Sequence, residues 1–285
     1  MSSNDSGRAA GQPNILVTND DGIDSPGLVA AIAAVSGLGR ITVVAPTTQQ
    51  SARGRSLQGD RSDCLHPVRL DGVDASVAAY HINASPALVV RHALMVLFAG
   101  DRQPDLIVSG INYGENLGNN ITISGTVGAA FQGAAQGIPG IAVSRQTAIR
   151  HHFRYGVLDW QDAIRVTREH TVRLLQVIHS GAGLPFDVLK IDIPDPCPPG
   201  TEQRLTVLSR QAYYLPVYRD PQPDSPIRAA ATIIDADAAL LDPADDIYAV
   251  AIDRVVSITP LTLDCTAPFS ESARVLGIAV PLSSR

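Results

Sequence analysis

The stretch Asn14-Ile15-Leu16-Val17-Thr18-Asn19-Asp20-Asp21-Gly22 decides the fold. Residues 14–18 form a continuous apolar run, which predicts a strand buried on both faces. Asp20 and Asp21 then set two carboxylates side by side, with a glycine behind them where the backbone must turn. Adjacent anions repel and resist desolvation unless a cation or several donors meet them. The pair reads as half of a metal site at the carboxyl end of a strand. Its plainer reading is a polar turn.

Working outward, Ser25 predicts a helix cap with Pro26 in the first turn, where proline is best tolerated. Leu28, Val29, Ile32 and Val35 give that helix one apolar face. Residues 40–45 (RITVVA) predict a second strand, and a polar loop follows over 46–56. Residues 63–84 read as a β excursion with a turn at Asp71-Gly72. Ser85-Pro86 opens a helix to Phe98, and residues 105–109 (DLIVS) predict a third buried strand. A Gly/Asn-rich loop is expected over 110–120. Ser124 caps a helix over 125–136, whose Gly128, Ala129 and Gly133 let it lie close to a sheet. Residues 140–143 predict a fourth strand. This alternation implies an α/β fold with a doubly wound, mostly parallel sheet.

A long amphipathic helix over 159–179 and a strand over 187–193 continue the pattern. Beyond Pro194 the texture changes, with dense prolines to Pro226. Residues 229–235, 248–252 and 255–259 then read as hairpin strands. Together they suggest an extended β arm of the kind that joins subunits, with a simple sheet extension as the alternative. The domain reading is a disordered polar tail over 1–13, a catalytic core over 14–195, and an arm with a C-terminal segment over 196–285.

Composition excludes several classes. The chain has 285 residues, 45% of them apolar, and no apolar stretch approaches the roughly 20 residues needed to span a bilayer. The polar opening residues lack the apolar core of a signal peptide, so a cytoplasmic protein is expected. Net charge is −6 with no basic run, which argues against a nucleic-acid polymer as partner. Cys64, Cys197 and Cys265 are too far apart for a metal motif or a disulfide framework and read as buried thiols. The single lysine, Lys190, leaves any phosphate site to backbone N–H groups, arginine or metal.

In an open parallel sheet, ligands bind beyond the carboxyl ends of the strands. Asp20 and Asp21 follow the first strand, Ser51 the second and Asn112 the third. Two carboxylates, a hydroxyl and an amide oxygen suit a hard cation such as Mg²⁺, Mn²⁺ or Ca²⁺ rather than zinc. Ser124-Gly125-Thr126 opens a helix, whose free N–H groups and positive dipole end bind phosphate. A divalent cation beside such a helix end is apparatus for phosphoryl hydrolysis. Each piece has a plainer reading as turn, loop or cap chemistry; their common placement at one sheet edge is what joins them. Arg53, Arg55 and His151 are further candidates for phosphate or base contact, and His151-His152 for ligand or substrate contact, although the histidines read more simply as exposed loop residues. Asp245-Asp246 reads as a solvated turn.

The chain resembles the survival protein E (SurE) family of metal-dependent nucleotide phosphatases. The resemblance is carried by 16–28 (LVTNDDGIDSPGL), 44–57 (VAPTTQQSARGRSL), 104–118 (PDLIVSGINYGENLG) and 123–133 (ISGTVGAAFQG), with an echo at 256–261 (VSITPL). It implies a Rossmann-like core, a protruding arm, and a homodimer or homotetramer built by arm exchange. It also implies 5'-nucleotidase activity, the hydrolysis of nucleoside monophosphates to nucleoside and phosphate. The family's metal ligands fall on Asp20, Asp21, Ser51 and Asn112, and its phosphate contacts on Ser124, Gly125 and Thr126. Three segments depart from the family pattern: Asn83-Ala84-Ser85-Pro86-Ala87-Leu88, Gln50-Ser51-Ala52, and Pro268 where many members carry a histidine. These departures support the alternatives of a nucleotide-binding protein with lost or reduced catalysis, or a phosphatase for another small phosphoester or short polyphosphate.

Overall fold

A computed structural model describes residues 11–100, 103–152 and 154–278. The tail expected over 1–13 lies outside them up to residue 10. In chain order the strands are Asn14–Thr18 (β1), Arg40–Pro46 (β2), His66–Val68 (β3), Ala78–Ile82 (β4), Leu106–Tyr113 (β5), Gly140–Arg145 (β6), Val188–Ile193 (β7), Gln203–Leu205 (β8), Tyr214–Val217 (β9), Ala231–Ile234 (β10) and Val256–Leu261 (β11). The helices are Pro26–Val35 (α1), Pro86–Val96 (α2), Gly125–Ala134 (α3), Gln161–His179 (α4) and Phe269–Leu276 (α5).

Nine strands form one sheet in the order β3-β4-β2-β1-β5-β6-β7-β11-β8. From β4 to β7 all neighbours run parallel, as the apolar strands predict. Successive side chains in a strand point to opposite faces. Ile15 and Val17 of β1 accordingly meet Leu28 and Ile32 of α1 and Val166 and Leu174 of α4. Leu16 faces the other way, into a cluster with Val89 and Val90 of α2 and Ala129 of α3. Helices therefore cover both faces, and the sheet is doubly wound. The chain leaves β1 for β2 on one side and returns to β5 on the other, so the crevice at the carboxyl end of β1 is the topological switch point, the place where open α/β sheets bind ligands. Among the described residues no helix is long and apolar enough to cross a membrane.

Five expectations need correction. The loop expected over 110–120 starts late, because β5 runs on to Tyr113 with a shift of register against β6 between Ser109 and Asn112. Gly110 permits that: its φ is +131°, and a Cβ there would lie 2.3 Å from the Val143 carbonyl oxygen. Residues 248–252 are a π-helical turn, not a strand; they pack with Leu117, Tyr213 and Leu241, and a wholly apolar run does not reveal its period. The strand expected over 255–259 is β11, which lies in the main sheet antiparallel to β7 rather than in an arm. There it covers the edge that β7 would expose. The hairpin itself is β9 with β10, paired antiparallel. Cys64 and Cys265 are exposed, and only Cys197 is buried.

The Asp245-Asp246 turn is also not solvated as expected. Asp246 is fully buried and accepts from the Lys190 ammonium at 3.0 Å. Lys190 also pairs with Asp192. The two carboxylates hold the next loop: Asn116 N–H donates to Asp192 at 2.7 Å and Gly118 N–H to Asp246 at 3.0 Å. A buried charge persists only when paired and hydrogen-bonded, and the chain's one lysine meets that condition beneath residues 112–118.

Candidate active site

The β1–α1 turn is fixed by Asn19, whose side chain donates to the Gly22 carbonyl at 2.9 Å and accepts from the Gly22 amide at 3.2 Å. It leaves Asp20 and Asp21 buried at the switch point, diverging toward different elements. Asp20 meets the start of α3, where the Thr126 hydroxyl donates to its Oδ1 at 2.5 Å. Asp21 accepts from the Tyr113 amide at 3.1 Å and from the Gln49 side chain at 3.0 Å. Gln49 also donates to the His152 carbonyl at 2.6 Å, and the Tyr155 hydroxyl donates to the Asp21 carbonyl.

Burial pushes the Asp20 carboxyl above the usual carboxylate range. Burial, reinforced by the Asp20 charge, pushes Asp21 up as well. The hydrogen bonds from Thr126, Tyr113 and Gln49 oppose these shifts without cancelling them.

Asp20, Ser51, Asn112 and Ser124 line one pocket of about 310 Å³. Four loops expected to converge from sequence therefore do converge. Ser51 is exposed, and the adjacent Gln50 amide donates to the Asp20 carbonyl at 2.7 Å, which ties its loop to the end of β1. Asn112 donates its amide nitrogen to the Gly114 carbonyl at 2.7 Å, which leaves its side-chain oxygen as the group to offer a ligand. Ser124 caps α3 by accepting from the Val127 amide at 3.1 Å. Asp21, Gly125 and Thr126 do not line the pocket; they stand behind Asp20 and Ser124. Among the described residues no lysine or arginine lines it, so no protein cation there answers the paired carboxylates. An all-oxygen donor set carrying uncompensated negative charge fits a hard divalent cation.

On the opposite wall the sequence reading ranks His152 as an exposed loop residue first and singles out neither Tyr214 nor the hairpin as part of the site. His152 is not an exposed loop histidine: it lines the pocket with its ring edge-on to Tyr214, 5.5 Å between centroids. Burial holds its pKa below the ordinary histidine value. Glu115 and Tyr214 also line the pocket, and the hairpin closes it with Pro216 and Thr232. Glu115 sits inside the quoted motif 104–118; no local pattern marks His152, Tyr214 or Thr232, which reach the site by tertiary packing. Arg53 and Arg55 face away, toward Gln58 at 3.4 Å and Gln132 at 3.0 Å. His151 packs on Gly156, and Pro268 precedes α5 on the surface; neither lines the pocket.

Residues 15–214 match the family model described as Survival protein SurE. A protein of Methanocella arvoryzae named 5'-nucleotidase SurE is 39% identical over 258 residues, covering 89% of this chain and 93% of its own. A protein of the same name from Thermococcus kodakarensis is 38% identical over 269 residues, covering 92% of this chain and 98% of its own. The crystal structure of the SurE protein from Aquifex aeolicus superposes with a TM-score of 0.69 at 28% identity, over 93% of this chain and all of that one. A family match over most of the core, full-length relatives and a shared fold agree, and the chain belongs to the Survival protein SurE family.

Proposed function

We propose that this chain is a divalent-metal-dependent phosphatase of the 5'-nucleotidase type, which hydrolyses nucleoside monophosphates to nucleoside and phosphate. One observation carries the proposal: a buried carboxylate pair without a protein cation stands against the start of α3, in a chain whose relatives are named 5'-nucleotidase. In this reading Asp20, Asp21, Ser51 and Asn112 would hold a Mg²⁺, Mn²⁺ or Ca²⁺ ion. When bound, the ion supplies positive charge against the phosphate oxygens and acidifies the attacking water.

The chain's own residues do the rest. Ser124, Gly125 and Thr126 open α3 and turn its positive end toward the substrate phosphate, with the Ser124 side chain at the pocket wall, where they offset charge that builds during transfer. Thr126 also holds Asp20 in place. Gln49 and the Tyr113 amide hold Asp21 from the other side, so neither carboxylate is free to rotate. The wall formed by His152, Tyr214 and the hairpin gives the nucleoside a surface to rest on. We further assign the enzyme to the cytoplasm, as a homodimer or homotetramer joined through β9 and β10.

The test is phosphate release from a panel of nucleotides with and without EDTA. Turnover should vanish in chelator and return with added Mg²⁺ or Mn²⁺, and full turnover in chelator refutes the metal role. Asp21→Asn should lower the rate about a hundredfold or more. Nucleotide binding without release under any of these cations would mark a protein that has lost catalysis, and release from polyphosphate alone would reassign the substrate.

A further inference from the structure

At the β3 edge of the sheet, three strands from β1, Asp63, Cys64 and His66 bring a carboxylate oxygen, a thiol sulfur and a ring nitrogen within 4.8 Å of one another. We propose that these three residues form a second cation site, selective for zinc or a similarly soft divalent ion. The site is separate from the oxygen-lined pocket and does not depend on the phosphatase reading.

The donor chemistry argues for zinc. Carboxylate, thiolate and imidazole are its usual ligands, whereas the hard cations of an oxygen cage avoid sulfur. Aspartate and a cysteine thiolate together neutralise a 2+ charge, so the bound site is uncharged. The spacing is local: Asp63 and Cys64 are adjacent, and His66 begins β3. Little loop ordering is therefore needed to assemble the ligands. A count of cysteines misses such a site, because two of its three ligands are not cysteine.

The ligands are already held. One oxygen of Asp63 accepts from the Cys64 amide at 2.9 Å and meets His66 Nε2 at 2.6 Å. The other accepts from the Asn83 amide at 2.8 Å. These donors keep the carboxyl at about 2, so it is an anion at any working pH. The His66 ring stacks on His81, 5.1 Å between centroids, and His81 is itself fixed by Thr47 Oγ1 at 2.9 Å. The stack fixes the plane of the His66 ring against β4. Cys64 is a free, exposed thiol. Asp63 also borders a cleft of about 710 Å³ that carries Arg61, Arg91 and His92, so the face is open to solvent and to small anions. Three protein ligands leave one position of a tetrahedral ion for water or such an anion.

Binding is a proton exchange. The cation replaces the thiol proton of Cys64, which passes to solvent, and it takes the place of the hydrogen now shared by His66 and Asp63, which a change of tautomer moves to the other ring nitrogen. One proton leaves per ion bound, so affinity should weaken as pH falls.

The experiment titrates Co²⁺ into chelator-stripped, full-length protein and follows the thiolate-to-cobalt charge-transfer band in the near ultraviolet. The expected result is one band-forming equivalent per chain, retained in Asp21→Asn and lost in both Cys64→Ser and His66→Ala. Absence of the band in the wild type, or its survival in Cys64→Ser, overturns the proposal. Alkylation of wild-type Cys64 gives a check that needs no variant. One equivalent of Zn²⁺ should slow it about tenfold or more, and an unchanged rate also overturns the site.

Discussion

The Thr126 hydroxyl donates to Asp20 at 2.5 Å, which joins the start of α3 to the end of β1 across 106 positions of sequence. The contact depends on the residue between Ser124 and Thr126. A Cβ built on Gly125 would lie 2.7 Å from both Cβ and Oδ2 of Asp20, so only glycine lets the helix come this close.

Gly125→Ala should therefore displace either Asp20 or the first turn of α3. Overpacking of this kind costs about 1–3 kcal/mol, and misplacement of a reacting geometry by about 1 Å costs on the order of a hundredfold in rate. Thermal melting should show the modest destabilisation while phosphate release shows the larger loss. Wild-type turnover in this variant would mean that Asp20 is not held at the reacting centre.

Asp20 and Asp21 make a prediction about stability without metal. Both carboxyls are raised above the ordinary value of 3.8. A carboxyl raised in the folded state binds its proton more tightly folded than unfolded. Its stabilising contribution is complete below the unfolded value and is lost as pH rises through the raised one. The chelator-treated protein should thus lose stability as pH climbs from the carboxylate range to neutral and above. Asp21→Asn removes one of the two charges, so the metal-free variant should melt a few degrees higher than metal-free wild type at pH 8. Added Mn²⁺ should raise the wild type and leave the variant nearly unmoved. Melting curves with and without EDTA, at pH 5 and pH 8, check both signs.

Much of this architecture was legible from residues 14–145 because local and tertiary signals agree there. Apolar strands, Ser25 and Ser124 as caps, and the acidic and glycine turns all point to one topology, and the pocket-side loops follow from the rule that ligands gather at strand ends. Beyond residue 195 the signals separate. An apolar run such as 248–252 packs equally well as strand or helix until its neighbours are known. Asp246 has the surroundings of a surface turn in sequence, and only the Lys190 ammonium, 56 positions away, explains its burial. His152 and Tyr214 come to the pocket from segments with no motif, so their role is a product of packing alone.

Lys190 offers a direct check on that packing. It is the chain's one lysine and is fully buried between Asp192 and Asp246. An amine-reactive ester should leave it unmodified in the native protein and label it after denaturation, as read by peptide mass. Lys190→Met should cost about 3–5 kcal/mol, because it leaves two buried carboxylates without a counter-charge. Urea denaturation measures this. Ready labelling of native protein would mean that the triad opens, and with it the loop that Asn116 and Gly118 anchor.

The hairpin predicts how the chain assembles. Ile233 and Ile234 of β10 are 46% and 45% exposed, on a two-stranded ribbon separate from the main sheet. An isolated hairpin is marginal in water, and an exposed apolar ribbon edge invites pairing with another chain. If copies of this chain join there, Ile233→Lys with Ile234→Lys should yield a monomer by light scattering, while the melting transition of the core changes little because neither side chain belongs to a core cluster. The same substitutions report on the pocket, since Thr232 of β10 closes it. A monomer with wild-type turnover would place the whole reacting site within one chain, and a monomer with weakened substrate affinity would make assembly part of how the hairpin is held over the pocket. An unchanged oligomer would remove β10 as the joining element.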